Sequence, residues 1–137
     1  MNNNIKNSQS TIQIPISPGE LLDKISILDI KQAAITDNEK RHNVMIELDA
    51  LNDARRQHIP DTKKIQLFYQ QLKTVNQTLW DIEDAIRDCE RVKDFSDQFI
   101  ELARSVYITN DQRAQLKKEI NQHLGSIIVE EKSYTPY

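Results

Sequence analysis

Apolar residues recur every three or four positions through most of the chain, and this spacing predicts helices. The first helix is expected to begin at Ser17-Pro18-Gly19-Glu20, a capping box with proline at the first helical position, and to end near Ala34. A similar start at Thr36-Asp37-Asn38-Glu39 opens a second helix, which His58-Ile59-Pro60-Asp61 ends. Each of these boundaries rests on a local signal that does not depend on the rest of the fold.

The longest element is expected after Pro60. Its apolar residues alternate steps of three and four and form one stripe: Ile65, Phe68, Leu72, Val75, Leu79, Ile82, Ile86 and Cys89. Such a stripe is typical of a long helix that packs at a shallow angle against a neighbour. The short connection through Pro60 predicts an antiparallel hairpin with the second helix. A parallel homodimeric coiled coil, and therefore a homo-oligomer, is the alternative for the same pattern.

Two more helices are expected in the C-terminal half. Lys93-Asp94-Phe95-Ser96 interrupts the stripe, and Ser96 can cap a fourth helix that carries Phe99 and Val106 on one face. Thr109-Asn110-Asp111-Gln112 resembles another helix start and predicts a fifth helix, which Gly125 closes as a left-handed C-cap.

The two ends of the chain have a different pattern. Residues 11–16 alternate polar and apolar side chains, and residues 126–129 are expected to be extended, so the two segments could pair as a small two-stranded ribbon. Residues 1–10 are nearly all polar and are predicted to be a disordered lead. The fold class is therefore mainly α, an approximately five-helix bundle formed by one domain over residues 11–137.

Charge and composition argue against several classes of function. The 21 acidic and 18 basic residues among 137 give a net charge of −3, which disfavours nucleic-acid binding. Only two glycines are present, so a glycine-rich phosphate loop is excluded. The chain lacks an apolar run long enough for a signal peptide or a membrane span, and we expect a cytoplasmic protein without a membrane partner. A zinc site is not expected, because the histidines are isolated: His42, His58 and His123.

A second row of residues follows the apolar stripe of the long helix at the same spacing: Tyr69, Asn76, Trp80, Glu83, Arg87 and Glu90. The two rows indicate that the helix is contacted on two sides. One interpretation is a structural network of salt bridges. The other is an anion pocket with Trp80 as a stacking wall, whose ligand-binding residues would be Trp80, Glu83, Arg87, Arg104, Tyr107, Arg113 and Lys117.

Acidic residues three positions apart raise the possibility of a magnesium site, as in all-helical nucleotide pyrophosphohydrolases. The pairs are Glu20/Asp23, Asp81/Asp84 and Asp94/Asp97. Chance alone gives about three such pairs in a chain of this acid content, so the spacing adds little. Under this alternative the metal ligands would be Glu20, Asp23, Glu83 and Asp84; otherwise we expect no cofactor.

Several segments together resemble an uncharacterised family of small bacterial helical domains that occur alone or appended to tetratricopeptide and glycosyltransferase-like regions. These segments are Gly19–Leu28, Leu79–Arg87, Phe99–Tyr107, Asn110–Ala114 and Val129–Tyr134. The resemblance covers about residues 12–137. It implies an association with surface-glycan assembly and assigns no catalytic residue.

These observations lead to a functional hypothesis. We expect a non-catalytic binding or adaptor module that acts through a polar centre or an exposed hairpin face, with a small anionic ligand or a protein as its partner. The alternative is a small helical enzyme acting on a nucleotide or sugar phosphate with magnesium, in which Arg87, Arg104 and Arg113 would hold the anion. A third hypothesis is a purely oligomeric scaffold.

Overall fold

A computed structural model describes residues 11–137. This part of the chain contains four α-helices and no strand: α1 (Pro18–Ala34), α2 (Asn38–His58), α3 (Lys63–Arg91) and α4 (Asp97–His123). The predicted helical class is confirmed, with four helices rather than five. Residues 1–10, which we predicted to be a disordered lead, lie outside the described residues.

Side-chain caps begin the first three helices. Ser17 accepts a hydrogen bond from the Glu20 amide at 3.2 Å, as the capping box predicts, and Pro18 takes the first helical position. Asp37 caps α2 by accepting from the amide of Lys40 at 2.9 Å. Thr62 caps α3 in the same way. Satisfying these free amides stabilises each helix start where the sequence signal lies.

The two long helices end in left-handed residues. Gly125 has a φ of 66°, and the Ser126 amide donates to the carbonyl of Asn121 at 2.9 Å, so the predicted C-cap of α4 is confirmed. Lys93 occupies the same position after α3 with a φ of 57°. A lysine pays a steric cost there that glycine does not.

The predicted fifth helix is part of α4. The helix continues through Thr109-Asn110-Asp111-Gln112, and Thr109 is buried within it. Since neither proline nor glycine occurs between Ser96 and Leu124, nothing forces a break, and tertiary packing overrides the local capping signal.

The predicted terminal ribbon is also wrong, because neither residues 11–16 nor residues 126–129 form a strand. Residues 126–137, here called the tail, instead run back along α4. Glu130 meets Lys117 at 2.7 Å, and the Tyr137 hydroxyl donates to Asp111 at 2.7 Å. The C-terminal segment is thus held by side chains of a helix rather than by a backbone ladder.

The long helix α3 pairs with α4, not with α2 as we predicted. Only Val44 and Leu48 of α2 are buried, so its apolar stripe is too short to cover that of α3. By contrast, α4 follows a tight turn and supplies a matching row of apolar side chains: Phe99, Leu102, Val106, Leu116 and Ile120. The hairpin of the fold is therefore α3–α4, and α2 packs on α1.

Helix α1 lies across one end of this hairpin. Its N-terminal Gly19 contacts α4, whereas the Tyr69 hydroxyl of α3 donates to Asp29, about three turns further along α1. Burial raises the pKa of this hydroxyl, and the hydrogen bond to Asp29 raises it further. The core is formed where α1 crosses the pair: Leu22, Ile25, Ile65, Leu72 and Ile120 are at most 1% exposed.

The rest of the hairpin extends beyond α1 and α2. Residues 77–108, here called the arm, comprise the second half of α3, the turn and the first part of α4. Only Ile82 and Cys89 are buried in the arm, and neither belongs to the main core cluster. Residues 11–76 and 109–137, here called the body, contain the core and the first two helices. The hairpin is therefore packed against other helices in the body and extends without them in the arm.

Candidate functional site

A buried polar cluster, here called the polar centre, lies where α1 crosses α3 and α4. Its central group is the carboxylate of Asp23, which is fully buried. Asp23 Oδ1 accepts from Arg113 Nε at 2.9 Å and from Asn76 Nδ2 at 2.8 Å. A second nitrogen of Arg113 binds the other carboxylate oxygen, so the ion pair is bidentate. Three helices are joined through one acid.

The ion pair perturbs its basic partner. The hydrogen bonds to Asp23 raise the pKa of Arg113, although burial opposes the shift. Ser26 completes the surroundings, because its hydroxyl donates to the Asp23 carbonyl at 2.7 Å and accepts from Asn76 at 2.8 Å. A buried charge of this kind is tolerated only when such partners replace the lost water.

Lys117 forms the second part of the polar centre. Its side chain is 8% exposed, and its ammonium lies 2.6 Å from Glu20 of α1 and 2.7 Å from Glu130 of the tail. Burial lowers the pKa of Lys117, but the hydrogen bonds to the two carboxylates outweigh it and the pKa is raised. The same contact lowers the pKa of Glu130. Lys117 thus joins the first helix to the last segment.

Close backbone contact fixes the start of α1 against α4. The Gly19 amide donates to Asn121 Oδ1 at 2.7 Å. A Cβ on Gly19 would lie 2.6 Å from the Lys117 carbonyl oxygen, a distance that real side chains do not adopt. This glycine is required for its lack of a side chain, which lets the two helices approach.

The buried polar atoms of the polar centre are all paired, and a cavity of about 320 Å³ lies beside it, lined by Lys117, Asn121 and Glu130. Within residues 11–137, every fully buried side-chain nitrogen and oxygen has a hydrogen-bond partner in the protein itself. A pocket that awaits a ligand would leave some of these groups unpaired or aimed into space. The hydrogen bonds of the network therefore specify how α1 packs on the hairpin.

The seven candidate ligand-binding residues do not converge. Arg113 and Lys117 lie in the polar centre. Glu83 and Arg87 lie on the arm, 3.6 Å apart, with side chains that are 53% and 79% exposed. Half-buried Trp80 is one turn beyond Asn76, on the same helix.

The remaining two candidates are on the outer part of α4. Arg104 is exposed and pairs with Glu101 at 2.9 Å. Tyr107 is 44% exposed and packs edge-on against Tyr137 of the tail, with ring centroids 5.1 Å apart. The predicted pocket would need these groups beside Arg113, and the helices place them on other surfaces.

The four candidate metal ligands are separated as well. Glu20 and Asp23 are neutralised by Lys117 and Arg113, whereas Glu83 and Asp84 are exposed on the arm. Among the described residues, no group of three or more His, Cys, Asp or Glu side chains is placed to hold a metal ion. The carboxylate spacing in the sequence thus does not become a cluster in the fold.

Exposed apolar side chains also occur at the tip of the arm. Val92, Phe95 and Ile100, here called the tip patch, are 61%, 52% and 50% exposed. Phe95 also packs edge-on against Phe99, with ring centroids 5.3 Å apart. The tip patch surrounds the turn between α3 and α4, at the end farthest from α1.

A second surface lies between α3 and α4 in the body. It is an open groove of about 890 Å³, lined by apolar residues such as Leu67 and Ile108 and by several glutamines. Tyr137 of the tail also lines it. This groove is therefore partly covered by the protein's own C-terminal segment.

The polar centre also includes three residues that the sequence did not assign to it: Asn76, Ser26 and Asn121. Asn76 stood in the second row of the long helix, which was a usable signal, since a buried amide on a helix face needs a partner. Ser26 and Asn121 gave no signal, because their partners lie 50 and 102 residues away.

Comparison with known proteins identifies the family but not the activity. No helix within residues 11–137 is long and apolar enough to cross a membrane. The search of curated proteins and the search of solved structures gave no match. A family model does match, over residues 12–137, and the chain therefore belongs to DUF6165, a family of unknown function.

Proposed function

We propose that the protein is a non-catalytic binding or adaptor module that engages a partner protein through its arm. The observation that supports this most is the uncovered tip patch, where Val92, Phe95 and Ile100 are each at least half exposed. Apolar clusters at the end of a projecting element are typical of interaction sites.

The pairing of the charged groups in the polar centre also supports a non-catalytic role. An enzyme needs groups that can bind or move protons at a substrate, and these groups often have unsatisfied or accessible positions. Here Asp23 and Arg113 satisfy each other, and Lys117 lies between two carboxylates. The charged residues of the body therefore serve to hold the module together.

The choice of partners to examine first comes from the sequence resemblance. It associates such domains, in bacteria, with tetratricopeptide and glycosyltransferase-like regions. Glycan-modifying enzymes are accordingly the first candidates for the protein that the arm would engage.

Site-specific photo-cross-linking in the native cell tests the proposal. A photoreactive amino acid at Ile100 in the arm should give a protein adduct of discrete mass. The matched control is the same residue at Ile46, which is 58% exposed on α2 and should give no such adduct. Equal labelling from both positions, or none from Ile100, would contradict the proposal.

A ligand screen by thermal melting tests the enzyme alternative. We expect no shift in the melting temperature with nucleoside triphosphates or nucleotide sugars, with or without magnesium. A magnesium-dependent shift with any of these compounds would instead favour the enzyme.

A further inference from the structure

We propose that the tip patch binds a basic amphipathic segment of a partner protein, in which apolar side chains are flanked by lysine or arginine. The inference rests on the proposed function, because it assumes that the arm is the binding surface, and it adds the chemistry of the partner. Two independent features of residues 88–101 support it: exposed apolar side chains and a surplus of acid.

The apolar side chains of the tip are not covered by the described chain. The main core cluster ends at Leu72 on α3 and at Leu116 on α4, far along each helix from the turn. The hydrogen bonds that join α1 to the hairpin all lie in the body, at Tyr69, Asn76, Arg113 and Asn121. The tip patch thus keeps an apolar area that a partner can bury, which is the main source of binding free energy.

Acidic residues are concentrated around this patch. Residues 88–104 contain five acidic and three basic side chains, a net charge of −2, and the third cation, Arg104, binds Glu101 at 2.9 Å. The arm as a whole has eight acidic and four basic residues, which leaves 13 acidic and 14 basic residues elsewhere. The negative charge of the protein therefore lies in the arm.

The cations of the tip are already paired. Arg91 binds Asp88 at 3.7 Å, and Lys93 binds Glu90 at 3.3 Å, each within one helical turn. Asp94 and Asp97 have no cation within ion-pair distance in the described chain. Hydrogen bonding to Ser96 lowers the pKa of Asp94, so this carboxylate keeps its charge to a lower pH than an ordinary aspartate.

The negative charge around the tip patch favours some binding partners over others. Two copies meeting tip to tip would bring two surfaces of net charge −2 together, which costs electrostatic free energy. An anionic lipid surface would be repelled in the same way. A basic partner segment gains from the acidic rim, while its apolar face covers the patch, so it matches both features.

Binding of two designed peptides to the full chain tests the proposal. The probes are an amphipathic helix of about 14 residues made of leucine and lysine, and its counterpart made of leucine and glutamate. We expect the Leu/Lys peptide to shift the amide NMR signals of residues 88–101, with an affinity that falls as salt is added. The Leu/Glu peptide should cause no such shifts.

Matched variants locate the effect. The double variant Phe95→Ser/Ile100→Ser should weaken binding of the Leu/Lys peptide at least about tenfold. The control Met45→Ser/Ile46→Ser removes two exposed apolar side chains of α2 and should leave the affinity unchanged. The neutralising pair Asp94→Asn/Asp97→Asn should weaken binding at low salt and reduce its salt dependence. All six positions lie at the surface or in capping loops, and a melting curve checks that each variant folds.

Three results would overturn the proposal. The first is signal shifts confined to the body or to the groove near Leu67, and the second is equal binding of the Leu/Glu peptide. The third is a dimer in sedimentation that Phe95→Ser/Ile100→Ser dissociates, because the occupant would then be a second copy. If any of these occurs while Ile100 still gives its cross-link, only the chemistry of the partner is wrong. Loss of the cross-link as well would end the proposed function too.

Discussion

The body and the arm share the helices α3 and α4, yet different interactions stabilise them. In the body, α1 covers the hairpin, and ion pairs such as Asp23–Arg113 are buried and join residues 90 positions apart. In the arm, the ion pairs join residues three or four positions apart and are exposed. Surface pairs of this kind contribute little, whereas a buried network determines which helices pack together. The comparison indicates a rigid base and a projecting element of lower local stability.

Removing the central carboxylate is expected to have the largest effect. Asp23→Asn leaves Arg113 without its counter-charge and should lower the free energy of unfolding by about 3 kcal/mol. The matched arm variant Glu83→Gln should change it by less than about 0.5 kcal/mol, because the pair with Arg87 is exposed. Urea unfolding followed by circular dichroism measures both. Similar losses from the two variants would remove the distinction between the regions.

The second largest loss of stability is expected when a side chain is placed at the contact between α1 and α4. Gly19→Ala places a methyl group against the Lys117 carbonyl and should cost about 2 kcal/mol through forced separation of the helices. The control Gly125→Ala has no steric neighbour and should cost only about 1 kcal/mol, from its positive φ. The same unfolding experiment applies. A neutral Gly19→Ala would mean that the helices can move apart freely.

The tail contact should depend on pH. The pKa of Glu130 is lowered in the folded protein, so its contribution is present above the ordinary glutamate pKa and is lost as the pH falls through the folded pKa. The pKa of Lys117 is raised, so its contribution is lost only as the pH rises through that raised value. NMR relaxation of residues 130–137 should therefore report a mobile tail in acid and an ordered tail at neutral pH.

A variant separates this contact from general acid unfolding. Glu130→Gln should release the tail at neutral pH and cost about 0.5 to 1 kcal/mol, since the carboxylate is about half exposed. The neighbouring Glu131→Gln is the control and should leave the tail ordered. A tail that stays ordered in Glu130→Gln would show that Tyr137 alone holds it.

The smallest effect is expected at the turn of the arm. Lys93→Gly relieves the left-handed strain and should stabilise the protein by about 0.5 kcal/mol after the entropic cost of glycine is subtracted. Hydrogen exchange of the arm amides should slow, while that of the body should not change. Destabilisation would mean that the lysine side chain contributes more than its backbone strain costs.

Local features of the fold were predictable from the sequence because their causes are local. The cap at Ser17, the interruption at Lys93–Ser96 and the left-handed Gly125 each follow from a few adjacent residues. The stripe from Ile65 to Cys89 predicted a long helix, but it could not identify the partner. Whether α2 or α4 pairs with α3 depends on how much of the apolar stripe of α3 each helix covers. This is decided by the packing of the whole fold and not by the pattern of one helix.

The polar centre was predictable only in part. The sequence assigned Arg113 and Lys117 to an anion pocket with Arg87 and Arg104. It assigned Asp23 to a magnesium site. The position of α1 across the hairpin decides which cations meet Asp23. No spacing rule within a single helix contains that information, because Asp23 and Arg113 lie 90 residues apart.

The single cysteine of the chain, Cys89, can be used to measure local opening of the arm. Cys89 is buried between the two helices of the arm, beyond the reach of the main core. A thiol reagent can reach Cys89 only when the arm opens locally. The rate of labelling therefore measures how often the arm opens. Cys89 is thus a native reporter of the arm. A partner that binds the arm and suppresses its opening should slow the labelling of Cys89, and no engineered label is needed to measure this.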